Sequence, residues 1–287
     1  KWAKKTQRNH SIVEHNNDSG SVDEQAYIKK LTSDVRVVSI VHTSPVTGMT
    51  VDLEKITKEV RNVTPDCIII VDGIQHSSHG AIDVQKYDID GYVVSPYKMF
   101  SRHGYGVAWA SDRLCTLNKE QLADGPFQNW ELGTRDAGSY ATFSDVVDYL
   151  DWLGSNFTES ENTRERLEAS SIAIKSHEQE LVDLVINGAE DIVGLRNNKK
   201  IRIIGNPAST SREGVVSFFH KNKPSRIIVE ELRQRKIRVH IRKDDHYCGN
   251  ILRPLNQKDC IRFSICHYNS KAEVVEFMKA INEISTN

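Results

Sequence analysis

The hydrophobic residues in the first half of the chain fall into short continuous runs, most of them rich in β-branched side chains. Continuous runs are typical of strands that are buried on both faces of a parallel sheet. Asp52 is followed by apolar residues at Leu53, Ile56 and Val60, and this spacing predicts a helix between two of the strands. The predicted strands are 35–41, 68–71, 91–94 and 105–110, with an antiparallel direction left open for the last.

After residue 134 the hydrophobic positions change to the period of amphipathic helices. Two helices are predicted at 144–153 and 161–186. The rest of the chain alternates, with strands predicted at 201–204, 215–219, 239–241 and 261–264 and helices at 224–235 and 272–284. Segment 154–161 is the predicted hinge. We therefore expect an α/β large domain over residues 1–155 and a C-terminal α+β domain over residues 156–287.

The opening of the chain does not resemble the start of a domain. It carries no initiator methionine, and its polar sequence predicts a helix end that runs into a short strand at about 11–14. That strand would need partners that the following residues do not provide. We therefore expect that the sequence begins partway through a fold.

Composition narrows the classes of function. The 287 residues include 38 Lys and Arg against 39 Asp and Glu, a net charge of −1, so no overall basic field favours nucleic acid or an anionic membrane as a partner. No apolar run approaches the roughly 20 residues of a membrane-spanning helix. The five cysteines are an odd number without the spacing of a disulfide framework, which is typical of the cytoplasm.

Polar side chains follow two of the predicted strands at the points where they end. Asp72 ends a strongly apolar run, and Lys98 follows the next strand along the chain. Ligands of open α/β sheets bind at this edge, where we also expect Gln75 and Ser95. A lone lysine in this position is usually a solvated side chain. An acid, an amide, a hydroxyl and an amine together favour a site for pyridoxal phosphate.

A series of short motifs runs along nearly the whole chain. In chain order they are Ser44-Pro45-Val46-Thr47-Gly48, Asp72-Gly73-Ile74-Gln75, His79, Ile82-Asp83-Val84, Asp90, Ser95-Pro96-Tyr97-Lys98, Gly104-Tyr105-Gly106, Glu131-Leu132-Gly133-Thr134, Arg262-Phe263-Ser264 and Tyr268-Asn269-Ser270. This order resembles the class V aminotransferase fold family, the fold type I pyridoxal-phosphate enzymes. The segment from Tyr97 to Phe100 looks most like the cysteine-desulfurase-like branch. The resemblance implies a mostly parallel sheet of the seven-stranded type, present here in part, and a C-terminal α+β domain.

The resemblance also implies roles for individual residues. Lys98 would form the internal Schiff base, which requires an amine that is neutral part of the time; burial near positive charge lowers a lysine pKa. Asp72 would pair with the pyridinium nitrogen and keep the ring an electron sink. The other implied roles are Gln75 for the phenolic oxygen, Ser95 and Tyr97 for the phosphate, Thr134 for the phosphate from the second subunit of a homodimer, and Arg262 and His79 for the substrate.

The sequence departs from the family pattern in three places. Pro45 replaces an asparagine whose side chain faces the cofactor or substrate. Cys248 lies near the position of the sulfur-accepting cysteine of cysteine desulfurases, but the preceding segment has an extra residue and lacks its Thr-Gly pair. The upstream segment that normally supplies the phosphate cradle and the ring-stacking side chain is missing, so we expect a truncated or partial homologue.

Several functions share this set of residues. We expect a pyridoxal-phosphate-dependent enzyme that acts on a small amino acid, of the cysteine desulfurase-like or C–S lyase type. The alternatives are a class V aminotransferase or epimerase, and a non-catalytic homodimeric relative. His79 can equally serve as a structural hydrogen-bonding residue. A zinc site is disfavoured because the spacing of its candidate ligands matches no usual pairing; these are His246, Cys248, Cys260, Cys266 and His267.

Overall fold

The computed structural model describes residues 2–126, 129–130, 132–134, 136–208 and 210–286. The first half contains two short 3₁₀ turns, His76–Ser78 and Pro96–Met99, beside its helices and strands. These are, in chain order, α1 (Trp2–Lys5), α2 (Glu24–Ile28), β1 (Val37–Val41), α3 (Leu53–Val63), β2 (Ile68–Asp72), β3 (Gly91–Val94), β4 (Val107–Ala110) and α4 (Asp112–Cys115).

The second half begins with two long helices. Its elements are, in chain order, α5 (Ala137–Gly154), α6 (Thr163–Asn187), β5 (Gly188–Ala189), β6 (Ile192–Val193), β7 (Ile201–Ile204), β8 (Val215–His220), α7 (Ser225–Gln234), β9 (His240–Lys243), α8 (Gly249–Leu252), β10 (Asp259–Ser264) and α9 (Lys271–Thr286). Among the described residues, no helix is long and apolar enough to cross a membrane.

The first sheet has the order β1-β2-β3-β4, with three parallel strands and an antiparallel β4 at one edge. The predicted strands and the helix after Asp52 are confirmed, and the Asp52 side chain caps α3 by accepting from the backbone N–H of Lys55. Helix α3 buries Leu53, Ile56 and Val60 as the spacing predicted. The strand predicted at 11–14 is wrong: the segment pairs with no strand of the described residues and so has no partner for its backbone hydrogen bonds.

The second sheet is antiparallel throughout, with the order β7-β8-β10-β9. Helices α6, α7 and α9 pack around it and enclose a core that includes Val185, Phe218, Ile228, Ile261 and Phe277. Helices α5 and α6 pack against each other directly after the turn at 155–162. Gly154 permits this close crossing, since a Cβ there would lie 1.9 Å from the carbonyl oxygen of Arg166.

The loop between β1 and α3 joins the two sheets through its backbone. Thr50 N–H donates to the Ser211 carbonyl at 2.9 Å, and Glu213 N–H donates to the Gly48 carbonyl at 2.9 Å. The buried guanidinium of Arg212 donates to the Thr47 carbonyl. Gly48 has φ +75°, and a Cβ there would lie 2.2 Å from the Val215 carbonyl oxygen, so only glycine fits this close approach. These contacts set the second half against the strand ends of the first.

Candidate active site

Asp72 and Lys98 are delivered to one edge of the first sheet by neighbouring parallel strands. Asp72 is the last residue of β2 and pairs in register with Val93 of β3. Two residues beyond β3, the chain enters the 3₁₀ turn that carries Lys98, and Phe100 ends the turn in the left-handed region with φ +70°. Because the strands are parallel, both polar residues lie at their carboxyl ends, as the sequence predicted.

The Lys98 amine is half-buried and bound to Gln75. Its Nζ donates to Gln75 Oε1 at 2.9 Å. Burial and the nearby guanidinium of Arg262 lower the pKa of Lys98, and Arg242 acts in the same direction, while the Asp72 carboxylate opposes them. The structure therefore brings together the acid, the amide and the amine, and it favours a neutral amine more than water would.

The Asp72 carboxylate can accept a further hydrogen bond or form an ion pair. Its Oδ1 accepts from the backbone N–H of Ile74 at 3.0 Å, and it forms no ion pair within the described residues. Ser95 precedes the 3₁₀ turn, and its side chain does not cap it. Tyr97 is 41% exposed and its ring stacks on His103 at 4.3 Å between centroids. Ser95 and Tyr97, two of the predicted phosphate ligands, thus lie within three residues of Lys98 along the chain.

Arg262 reaches this edge from the second sheet. It lies on β10, and its Nη1 donates to the Pro45 carbonyl at 3.0 Å. Its Nε is buried without a hydrogen-bond partner among the described residues. Burial and Arg242 lower its pKa. A buried guanidinium nitrogen without an acceptor is costly, so this nitrogen marks where an anionic ligand would be stabilised.

The structure places Cys248 inside an apolar cluster rather than on an exposed loop. Its side chain is fully buried against Val46, Leu252 and Cys260. Arg242 Nε donates to Cys248 Sγ at 3.3 Å. Burial and the neighbouring Cys248 raise the pKa of the Cys260 thiol to about 12, which is typical of an inert cysteine. The burial of Cys248 weighs against the predicted sulfur-accepting role, since that role needs an accessible thiol.

Thr134 is exposed in the segment that precedes α5. An exposed position is compatible with the predicted contact across a subunit boundary, which stays a prediction. Glu131 of the same motif lies outside the described residues.

Two buried histidine–glutamate pairs complete the edge. His79 Nδ1 lies 2.6 Å from Glu178 Oε2 on α6, and His76 Nδ1 lies 2.5 Å from Glu213 Oε1. The His42 ring packs against the His76 ring, with 3.7 Å between the centroids and 30° between the planes. The sequence analysis missed both glutamates, which lie 99 and 137 residues from their histidines, because no spacing or motif marks them.

The pKa values of His42 and His79 are shifted in opposite directions. His42 Nδ1 lies 2.9 Å from the Tyr92 hydroxyl, and burial together with His76 lowers the pKa of His42 to about 2. Burial alone would lower the pKa of His79, but the hydrogen bond and charge of Glu178 outweigh it and raise the pKa above its ordinary value. Within the parts of the chain that the structure describes, no group of three or more potential ligands could hold a metal ion.

The sequence of the chain is similar to those of curated cysteine desulfurases. The chain is 22% identical to a probable cysteine desulfurase of Pseudomonas putida over 96% of its own length and 65% of that protein. It is 26% identical to a cysteine desulfurase of Synechococcus elongatus over 94% of its length and 41% of that protein. The chain thus spans less than two thirds of the length of either of these curated relatives.

Solved structures show the same fold. The cysteine desulfurase of Thermococcus onnurineus superimposes with a TM-score of 0.79 at 20% identity, covering 99% of this chain and 68% of that one. The cysteine desulfurase CsdA of Escherichia coli gives 0.75 at 21% identity, covering 98% and 66%. The predicted fold type I architecture is confirmed. The profile of the family described as aminotransferase class-V matches residues 2–277, and the chain therefore belongs to the aminotransferase class-V family.

Proposed function

We propose that the chain supplies the lysine-bearing part of a pyridoxal-phosphate-dependent enzyme that acts on a small amino acid in the manner of a cysteine desulfurase. The observation that carries the proposal is the meeting of Lys98, Gln75 and Asp72 at the carboxyl ends of β2 and β3. Residues up to 155 would provide the cofactor groups, and the C-terminal domain from residue 156 would provide Arg262.

The donor set at this edge fits the cofactor. Burial and Arg262 lower the pKa of the Lys98 amine, which makes its neutral form, the form that bonds an aldehyde carbon, easier to reach than in a solvated lysine. Asp72 accepts from the Ile74 N–H and forms no ion pair among the described residues, which suits a protonated ring nitrogen. Ser95 and Tyr97 present hydroxyls beside Lys98 that suit a phosphate. When bound, pyridoxal phosphate would supply the electron sink for a negative charge at the substrate α-carbon.

Lys98 would also move protons. A group that transfers a proton efficiently has a pKa near the working pH, and burial beside positive charge moves a lysine in that direction. Gln75 holds the amine by accepting from Nζ, which restricts where the proton is delivered. In this arrangement Lys98 would take the proton from the substrate α-carbon as a base and return it as an acid.

Arg262 would bind the substrate carboxylate. Its Nη1 is held by the Pro45 carbonyl, which fixes the guanidinium plane and leaves the buried Nε to a ligand oxygen. A planar guanidinium suits a carboxylate better than an ammonium does. Pro45 therefore serves through its backbone where the family pattern has an asparagine side chain.

The covalent test uses reduction by borohydride and peptide mapping by mass spectrometry. Pyridoxal phosphate should be trapped on the peptide that carries Lys98, and Lys98→Ala should abolish this label. Lys86→Ala is the matched control, because Lys86 is exposed and pairs with Asp83 rather than with Gln75. Full-length protein that is folded, supplied with cofactor and unlabelled at Lys98 would contradict the proposal.

The burial of Cys248 favours a second candidate reaction of the C–S lyase type, in which sulfur leaves without transfer to a thiol of the chain. Product analysis separates the two reactions. Alanine with sulfur on the protein indicates desulfuration through a cysteine, and Cys248→Ser would then abolish it. Pyruvate with ammonia and free sulfide indicates lysis, and Cys248→Ser would leave it intact.

The proposed homodimer gives Thr134 its role. Thr134 is exposed, so its hydroxyl is available to the phosphate site of a second copy. Sedimentation of the full-length protein should give a dimer. Mixing Lys98→Ala with Thr134→Ala subunits should give one intact site in each mixed dimer; a monomer, or the absence of any restored activity, would contradict this assignment.

A further inference from the structure

Four side chains form a continuous series of hydrogen bonds that runs from α6 to Lys98. Glu178 Oε2 lies 2.6 Å from His79 Nδ1, His79 Nε2 lies 3.1 Å from Gln75 Nε2, and Lys98 Nζ donates to Gln75 Oε1 at 2.9 Å. Glu178 and His79 are almost completely buried. We propose that Glu178 and His79 are positioning residues that set which end of the Gln75 amide faces Lys98.

This proposal rests on the proposed function, because there Gln75 is the amide beside the cofactor-binding amine. An amide has one accepting end and one donating end, and it presents opposite ends to its two neighbours. The ammonium form of Lys98 only donates, so it requires Gln75 Oε1. Gln75 Nε2 then donates to His79 Nε2, which must be unprotonated, and the ring proton lies on Nδ1 towards Glu178.

A second arrangement becomes available when Lys98 loses its ammonium form. A proton on His79 Nε2 would then donate to Gln75 Oε1, and the amide would turn its Nε2 towards Lys98. In this arrangement the amide is a donor at the cofactor site, which is the role implied for Gln75. The state of Lys98 and the second proton of His79 are therefore coupled through one amide that can turn.

Glu178 stabilises the second arrangement, in which His79 carries two ring protons. Its Oε1 is buried without a hydrogen-bond partner in the described segments, so the charge of this carboxylate depends on His79. A buried carboxylate with one partner favours a second proton on that partner, and the pKa of His79 is raised accordingly. The titratable groups that act on His79 come from four elements or segments: Glu178 on α6, Glu213 before β8, Lys98 on the 3₁₀ turn and His267 after β10.

Nuclear magnetic resonance of the full chain labelled with ¹⁵N-histidine tests the coupling without the cofactor. The shift of Nε2 reports whether His79 carries its second proton, and the signal is assigned by its loss in His79→Gln. In Lys98→Ala the pKa of His79 should rise, because the amide no longer has to accept from an ammonium. An unchanged His79 titration would overturn the proposal.

Gln75→Ala separates the turning amide from simple charge repulsion. In that background, Lys98→Ala should raise the pKa of His79 less than it does with Gln75 present. Equal effects in the two backgrounds would overturn the proposal, since the amide would then carry no coupling. This cycle leaves Glu178 intact and so remains informative if variants at position 178 fail to fold.

Glu178→Gln tests the source of the second proton. The glutamine keeps the size of the side chain and an acceptor for Nδ1, but it lacks the charge, so the pKa of His79 should fall. Glu213→Gln is the matched control, because Glu213 bonds His76 and acts on His79 only through space. A fall in Glu213→Gln as large as in Glu178→Gln would overturn the assignment.

Addition of pyridoxal phosphate gives a second, distinguishable readout. Capture of Lys98 should protonate His79 Nε2 in the unmodified chain and not in Glu178→Gln. Capture of Lys98 without this protonation would overturn the proposal. If pyridoxal phosphate does not bond to Lys98 at all, the proposed function is contradicted instead. The coupling between Lys98 and His79 in the cofactor-free chain would still test the positioning roles of Glu178 and His79.

Discussion

The two histidine–glutamate pairs have nearly the same geometry and different second partners. Both histidines lie within four residues on the segment after β2, and both glutamates come from the second half of the chain. His76 Nε2 lies 3.1 Å from the Ala81 carbonyl, which only accepts. His79 Nε2 faces the Gln75 amide, which can accept or donate. One pair is thus fixed by the backbone, while the other can respond to Lys98.

The largest expected effect is on stability, and it belongs to the fixed pair. His76→Ala would leave the Glu213 carboxylate buried without its partner, which typically costs about 3–5 kcal/mol. We expect a loss of about 3 kcal/mol in the free energy of unfolding, measured by urea titration at pH 7. A loss below about 1 kcal/mol would mean that this pair does not hold the halves together.

The next effect is a pH dependence that originates beside the fixed pair. The pKa of His42 is lowered to about 2 in the folded chain, so below its unfolded value near 6.5 only the unfolded chain gains this proton. Stability should therefore fall as pH drops, by about 1.4 kcal/mol per pH unit, or about 2 kcal/mol between pH 6.5 and 5. His42→Asn should flatten the urea-derived profile over this window; an unchanged slope would show that His42 titrates normally.

The pKa of His79 predicts the opposite sign. Because its folded value is raised, its contribution to stability is complete below about pH 6.5 and is lost as pH rises through the folded value. Comparing His79→Gln with the unmodified chain across pH 6 to 9 isolates this loss, since the variant keeps a polar side chain that does not titrate. A stability contribution of His79 that grows with pH would contradict the raised pKa.

The two histidine–glutamate pairs should also differ in their effect on the affinity for pyridoxal phosphate, and this effect is smaller than those on stability. Glu178→Gln weakens one hydrogen-bonded position next to the site, so we expect about a fivefold loss of affinity, equivalent to about 1 kcal/mol. Glu213→Gln should change affinity less than about twofold. Titration followed by the visible absorbance of bound cofactor measures both; equal losses would remove the distinction between the pairs.

The smallest expected effect on stability comes from an exposed ion pair, which serves as a reference for the buried pairs. Arg164 and Glu168 lie one turn apart on α6 at 2.8 Å, and both side chains are about half exposed. Arg164→Ala should cost about 0.3–0.5 kcal/mol in the urea experiment, and raised salt should reduce this value. A larger loss would show that the contacts of Arg164 with the first half, rather than the exposed pair, are stabilising.

Much of the fold was predictable because its signals are local. The strands of both sheets and the cap at Asp52 follow from runs and spacings within about ten residues. Helix α5 begins seven residues before its predicted start at 144, because Asp136 caps it by accepting from Ser139 N–H while its first turns lack an apolar stripe. The strand predicted at 11–14 failed because a strand needs a neighbour that no local pattern supplies.

Some residues of the candidate site were predictable from local patterns, and others were not. Asp72, Lys98 and Gln75 were predictable because strand ends collect polar groups at one edge. Glu178 was not, since a single glutamate on a long charged helix looks like a solvated residue until the opposite half is docked. The burial of Cys248 was also hidden, because its partners come from six separate elements or loops.

The contact between Arg262 and the Pro45 carbonyl affects which substitutions position 45 can tolerate. Every amino acid carries the same main-chain oxygen, so the residue at position 45 can be replaced without removing the acceptor. What must be preserved is the path of the loop, and Gly48 secures that path where the backbone passes Val215. Substitutions at position 45 should therefore be common among active variants of this chain, and substitutions at position 48 should be rare.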